Sequence, residues 1–116
     1  MRTLRLATRQ SKLALWQANF VKAQLEAIIP DYSVVLVPML TEGDQNTHCA
    51  LSEIGGKGLF IKRLEQALLD GEADFAVHSM KDVPPALSHK FCLPAILQRA
   101  SPLDVLVSVK YKSLKD

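Results

Sequence analysis

The segment from His78 to Pro84 brings an imidazole, an ammonium group and a carboxylate together in seven residues, HSMKDVP. It follows an apolar run, and Pro84 limits how far the segment can move. A carboxylate such as Asp82 beside Lys81 at a strand exit can stabilise a developing cation and exchange protons with a substrate nitrogen. The alternative is an exposed turn with an ordinary ion pair.

Two further polar segments have residues suited to anion binding. In ATRQS, which ends at Ser11, Arg9 and the first free amides of a following helix could meet an anion together. In IGGKGLF, glycines surround Lys57, so that the backbone can approach a ligand and the amine can bind a carboxylate. The alternatives are that Ser11 only caps a helix, that Arg9 is a solvated charge, and that the glycine-rich segment is a hinge. A P-loop is excluded, because the spacing GxxxxGK[ST] is absent.

Apolar spacing predicts the elements that position these segments. The predicted strands are Leu4–Thr8, Ser33–Leu40, Ala73–Val77, Phe91–Leu97 and Asp104–Val109. The first predicted helix is Ser11–Ile29, capped by Ser11 and with a second buried stripe of Leu13, Trp16 and Phe20. The second predicted helix is Gly58–Asp70, which Gly71 ends. The stretch Thr41–Gly56, between the second predicted strand and the second predicted helix, is polar and is either functional or mobile. Alternation of strand and helix predicts an α/β sheet. The three polar segments then lie at the carboxyl ends of strands, where ligands bind such sheets.

Composition excludes several classes of function. The chain has 116 residues, 48% of them hydrophobic, and a net charge of only +2, which predicts one globular domain without the strong field that nucleic acid or an anionic membrane requires. The sequence shows no signal peptide and no membrane span, so we expect a cytoplasmic chain. Cys49 and Cys92 are expected to be free thiols, and no metal site is predicted.

Three stretches taken in order, ATRQSKLALWQ, IGGKGLFIKRLEQALL and ADFAVHSMKDVP, resemble the successive signature stretches of the porphobilinogen deaminase (hydroxymethylbilane synthase) family. The resemblance covers nearly the whole chain. It implies an open mixed sheet flanked by helices, as in one lobe of the type II periplasmic binding proteins. Residues 1–98 would form that first lobe, incomplete because the chain is truncated, and residues 99–116 the hinge and crossing into a second lobe.

The resemblance also implies an activity and a set of site residues. Family members are transferases of tetrapyrrole (haem) biosynthesis that join four porphobilinogen molecules head to tail into hydroxymethylbilane with release of ammonia, on a dipyrromethane primer bound to a cysteine. Asp82 matches the family's catalytic aspartate. The matching positions that bind acetate and propionate side chains are Arg9, Ser11, Lys81 and Lys57, with Thr8, Gln17 and Ser79 as neighbouring positions.

The sequence departs from the family pattern at Glu53, where many relatives have a lysine, and an acidic side chain weakens the capture of a polycarboxylate.

The primer cysteine is expected beyond Asp116, and neither Cys49 nor Cys92 matches it. The chain alone is therefore expected to be inactive and to bind no primer. It is expected to self-associate by exchanging its terminal segment, whereas the full-length enzyme is expected to be a monomer.

Two other functions are compatible with an α/β lobe. One is a solute-binding module without catalysis, because the same architecture captures anions in many proteins. The other is a nucleotide-binding domain, which the missing P-loop spacing disfavours.

Overall fold

The computed structural model describes residues 1–41, 44, 58, 60–103 and 107–110. The expectations for Lys57, Glu53 and Cys49 lie outside these residues. Most of the polar stretch 41–56 and part of the predicted strand at 104–109 lie outside them as well.

A small parallel sheet forms the centre of the fold. Its strands are β1 (Arg2–Arg9), β2 (Tyr32–Met39) and β3 (Phe75–Ala76), in the order β2-β1-β3. Both pairings are parallel, whereas the resemblance implied a mixed sheet, and the described strands contain no antiparallel pair. All three strands were predicted, but β1 is longer than expected and β3 is shorter.

Helices cover both faces of the sheet because successive side chains of β1 point to opposite faces. Leu6 is fully buried and packs with Val34 of β2 and with Ala18 of helix α1 (Lys12–Ile28). The next residue, Ala7, packs instead with Leu64 and Ala67 of helix α2 (Lys62–Leu69). The sequence therefore forms an α/β domain with a hydrophobic core on each side of a central strand.

Helix α1 begins at the predicted cap, since the Ser11 hydroxyl accepts a hydrogen bond from the Ala14 amide at 3.3 Å. The prediction of a second buried stripe on this helix is wrong. Trp16 is 65% exposed and Phe20 44%, and their rings stack on each other at 5.5 Å. At about 100° per residue, Trp16 lies on the side of the helix opposite Ala14, which faces the sheet. Leu13, 55% exposed, is likewise not buried.

Helix α2 begins four residues later than predicted, after a turn in which the amides of Ile61 and Lys62 donate to the Gly58 carbonyl. Gly71 ends the helix as predicted. Its φ of 74° is in the left-handed region that glycine adopts without a steric penalty.

A pair of opposite charges holds β3 against the central strand. The Arg5 guanidinium donates to both carboxylate oxygens of Asp74, at 3.2 and 2.9 Å, and to the Gly71 carbonyl at 2.6 Å. The backbone amides of Arg5 and Asp74 add two bonds, one to the Asp74 carboxylate and one to the Arg5 carbonyl. This network fixes the exit of α2 and the start of β3 relative to β1.

After β3 the chain forms one 3₁₀ turn, Met80–Asp82, and no further helix or strand within the described residues. The predicted strand Phe91–Leu97 is therefore wrong. Pro94 has no amide hydrogen to donate within this run, and no strand in the described part of the chain supplies partners. Ile96 is 69% exposed. The described residues of the last predicted strand, 107–109, are not a strand either. No helix in the described part of the chain is long and apolar enough to span a membrane.

Candidate active site at the carboxyl ends of the strands

The three parallel strands end at the same edge of the sheet, and polar residues lie at or after the end of each strand. Arg9 is the last residue of β1, Thr41 comes shortly after β2, and His78 to Asp82 follow β3. Parallel strands bring their carboxyl ends together, so segments far apart in sequence meet there.

A small pocket opens at this edge and contains most of the residues that the sequence singled out. Its volume is about 30 Å³, room for little more than one water molecule. A larger ligand would therefore lie largely outside it. The lining residues come from the end of β1, the start of α1 and the segment after β3: Arg9, Ser11, Leu13, Ala14, Gln17, Val77, His78, Ser79, Lys81 and Asp82.

Arg9 contacts two carboxylates at the pocket, those of Asp44 and Asp82. Its Nε donates to Asp44 Oδ2 at 3.1 Å and its Nη2 donates to Asp44 Oδ1, while Nη1 lies 3.6 Å from Asp82 Oδ2. The guanidinium also lies 4.2 Å from the centre of the Phe60 ring, within the range of a cation–π contact. The hydrogen bonds to Asp44 raise the pKa of Arg9, with a further contribution from the charges of Asp44 and Asp82.

Asp44 is held from its other side by Thr41. The fully buried Thr41 hydroxyl donates to Asp44 Oδ2 at 2.7 Å, and the Asp44 amide donates back to that hydroxyl at 3.2 Å. The hydrogen bonds from Arg9 are the main reason that the pKa of Asp44 is lowered, and those from Thr41 act in the same direction. The carboxylate is therefore charged at neutral pH.

His78 is a half-buried member of the pocket wall. Burial is the main cause of its lowered pKa, and the positive charge of Arg9 lowers it further, whereas Asp82 opposes the shift. The imidazole is therefore mainly neutral at pH 7, where it can donate from one ring nitrogen and accept at the other.

Comparison with known proteins assigns the family. Residues 4–116 match the family model described as porphobilinogen deaminase, dipyromethane cofactor binding domain. The chain belongs to the porphobilinogen deaminase family. It is 58% identical over 115 residues to the porphobilinogen deaminase of Xanthomonas euvesicatoria pv. vesicatoria, and 55% and 53% identical to those of Ruthia magnifica and Vesicomyosocius okutanii. Each alignment covers 99% of this chain and 38% of the relative.

The structure brings together several of the positions that the resemblance to porphobilinogen deaminases suggested. Asp82, Arg9 and Ser11 share the pocket, with the Asp82 side chain only 12% exposed. Lys81 lines the rim but is exposed. Lys57 lies outside the described residues.

Two of the suggested positions support the wall of the pocket. The Ser79 hydroxyl donates to Gln17 Oε1 at 3.0 Å, which ties the segment after β3 to helix α1. Thr8 is fully buried, and its hydroxyl donates to the Arg9 carbonyl at 3.0 Å. Thr8 therefore lies beneath the site in this porphobilinogen deaminase domain and is not among the pocket-lining residues.

Sequence reasoning missed Asp44 and Phe60, which together fix the Arg9 side chain. Asp44 lies within the polar stretch after β2, and Phe60 lies within the predicted helix Gly58–Asp70. An acidic residue just past the carboxyl end of a parallel strand was a usable signal for Asp44. The position of Phe60 against Arg9 is a tertiary contact across 51 residues, and no local pattern encodes it.

Proposed function

We propose that this chain provides the catalytic aspartate and part of the carboxylate-binding surface of a porphobilinogen deaminase. The reaction joins four porphobilinogen molecules into hydroxymethylbilane with loss of ammonia. The observation that carries the proposal is the placement of Asp82 beside Arg9 in one pocket at the carboxyl edge of the sheet, in a chain of this family. The chain spans 38% of the length of the curated relatives, and the rest of such an enzyme would complete the site.

The fold that we propose for the complete enzyme is two-lobed, like the type II periplasmic binding proteins, with this chain in the first lobe. A parallel sheet covered by a helix on each face, with a polar pocket at its carboxyl edge, supports this proposal. The pocket is too small to enclose a pyrrole, and a second lobe facing this edge would provide the remaining enclosure.

Asp82 is the group that we assign to the chemical step. When ammonia leaves porphobilinogen, the bond between the aminomethyl carbon and nitrogen breaks, and the pyrrole nitrogen lone pair compensates the electron-deficient carbon. Positive charge therefore develops on the pyrrole, whose N–H can donate to the Asp82 carboxylate. At about 4 Å and an effective dielectric constant of about 20, such a charge pair contributes on the order of 4 kcal/mol. Because the Asp82 side chain is largely buried, water screens this attraction less than at the surface.

Basic and hydroxyl groups around Asp82 suit the carboxylates of the substrate. Porphobilinogen carries one acetate and one propionate, and Arg9, Lys81 and Ser11 surround the pocket as donors. Lys57 is proposed as a further contact, and Ser79 holds the wall through Gln17. The same donors fit a dipyrromethane, which has the same side chains and supplies the pyrrole carbon to which the next unit is added. Cys92 is exposed and does not line the pocket, so it is not proposed as the attachment point.

The test is a chimera in which this chain replaces the matching part of the Xanthomonas euvesicatoria relative. Asp82→Asn should lower kcat by about 100-fold or more, because the neutral amide cannot offset the developing charge. KM should change much less. The matched control is Asp31→Asn, an exposed aspartate in the turn before β2, which should leave both constants unchanged.

A near-normal kcat for Asp82→Asn would reject the assigned role. If the unmodified chimera binds porphobilinogen tightly but releases no ammonia, the lobe is a solute-binding module and the catalytic proposal is wrong. Thermal unfolding of each variant checks that the fold is retained.

A further inference from the structure

Arg9 divides its guanidinium between two carboxylates in unequal ways. The edge formed by Nε and Nη2 makes two hydrogen bonds to Asp44, which does not line the pocket. The remaining nitrogen, Nη1, is directed to Asp82, which does line it, but at 3.6 Å the two form an ion pair without a hydrogen bond. The edge of Arg9 on the pocket side therefore keeps donors available for a ligand.

We propose that Asp44 is a positioning residue: it holds the Nε edge of Arg9, so that the Nη1 edge faces ligand carboxylates and Asp82 stays free to accept from the pyrrole. The proposal rests on the proposed function and names a residue that the family resemblance did not assign. Asp44 itself touches neither substrate nor reacting atoms in this scheme.

Three contacts restrict the movement of the Arg9 and Asp44 side chains. The bidentate pairing fixes the plane of the guanidinium, since two parallel hydrogen bonds leave it no rotation. The Phe60 ring lies against the guanidinium, with its centre 4.2 Å from Arg9 Cζ. Thr41, buried and bonded to Asp44 Oδ2, fixes the carboxylate in turn. Side chains of Arg9 and Asp44 are only 19% and 16% exposed, so water competes weakly for these bonds.

Removal of Asp44 would leave Asp82 as the nearest carboxylate to Arg9. A guanidinium released from its Nε partner can turn and shorten the present 3.6 Å separation to a hydrogen bond. Asp82 would then be engaged by a protein cation, and the donors of Arg9 would no longer face the ligand. Both effects follow from the loss of one carboxylate outside the pocket.

The direct test measures the Arg9 side chain itself. In this chain, the Nε–H of Arg9 should give a slowly exchanging signal by nitrogen-15 NMR, because it is bonded and shielded. Asp44→Asn should make that exchange at least roughly tenfold faster, since one charged acceptor is lost. Glu72→Gln is the matched control, because it breaks the Arg63–Glu72 pair, which is exposed on the surface. It should leave the Arg9 signal unchanged.

The kinetic test uses the chimera described above. Asp44→Asn should raise KM for porphobilinogen about tenfold, because the anchoring donors are misplaced, and Thr41→Val should act in the same direction with a smaller effect. Thr41→Val keeps the shape of the side chain and so serves if Asp44→Asn does not fold.

The outcomes separate this inference from the function on which it rests. If Arg9→Lys raises KM but Asp44→Asn and Thr41→Val do not, Arg9 binds substrate and the positioning role is wrong. If Arg9→Lys itself has no effect on KM or kcat, the proposed binding role of Arg9 is wrong. An unchanged Nε–H exchange rate in Asp44→Asn overturns the inference whatever the kinetics show.

Discussion

At the scale of single residues, the pocket places one neutral imidazole among three charged side chains. His78 shares the pocket with Arg9, Asp82 and Lys81. Burial and the charge of Arg9 favour its neutral form, and Asp82 opposes them. A second positive charge beside Arg9 would cost free energy, so acid should act on the fold through this side chain.

The pH dependence of stability tests this effect. The folded-state pKa of His78 lies below the unfolded value of about 6.5, so its contribution to the free energy of unfolding is fully present above about pH 6.5 and is lost as the pH falls through the lower folded value. Urea unfolding from pH 7.5 to 5 should show this loss in the wild-type chain and a smaller loss in His78→Gln. His89→Gln, at an exposed position, is the control. An identical pH profile for His78→Gln and wild type would contradict the prediction.

Sequence reasoning identified Arg9, Lys81 and Asp82 but missed Asp44, which holds Arg9 in place. Arg9 and Asp82 stood out because each follows a predicted strand, where parallel sheets bind ligands. Their separation of 3.6 Å and the pairing of Arg9 with Asp44 depend on tertiary packing over 35 to 73 residues of chain. Local spacing contains no information about such contacts.

At the scale of elements, the most accurate predictions came from segments that have both an apolar pattern and a residue that begins or ends a helix. Helix α1 has its cap at Ser11 and small residues, Ala14 and Ala18, on the face toward the sheet. The strand predicted at Phe91–Leu97 had an apolar pattern alone. Hydrogen-bonding partners decide whether such a run becomes a strand, and none of the strands in the described residues pairs with this one.

Gly71, which ends helix α2, gives a prediction at this scale. Gly71→Ala should lower the free energy of unfolding by about 1 kcal/mol, because a Cβ disfavours a φ of 74°. Apart from its two chain neighbours, no described residue has a heavy atom within 4 Å of the added Cβ, so the cost is conformational and not a clash. Gly71→Asn is the matched variant and should cost less, since asparagine tolerates the left-handed region. Equal stability of wild type and Gly71→Ala by urea unfolding would show that the turn relaxes.

At the scale of the whole molecule, several large apolar side chains are exposed to solvent. The pocket lies at the carboxyl edge of the sheet, whereas the segment after the 3₁₀ turn presents large apolar side chains to solvent. Ile96 is 69% exposed and Leu103 78%. Such residues favour association between molecules unless other surfaces cover them.

The sequence predicted self-association through the terminal segment, and the exposed apolar residues before that segment give a second surface on which association can be tested. Sedimentation equilibrium of this chain at high concentration should show dimers or larger species. The double variant Ile96→Ser with Leu103→Ser should shift the equilibrium toward monomer, because the apolar surface is lost. Ile28→Ser, at a residue 74% exposed on α1, is the control and should have little effect. A wild-type chain that remains monomeric throughout would reject the prediction.

β1 pairs with a neighbouring strand on each side, so its register determines where Arg9 lies in the site. Leu6 pairs with Leu36 on one side and with Phe75 on the other, and Arg9 is three residues further along the same strand. A registration error of one residue would move the guanidinium by about 3.3 Å and send Leu6 and Ala7 to the wrong cores. Misaligned chains should therefore be unstable and should lack the ion pair between Arg9 and Asp82.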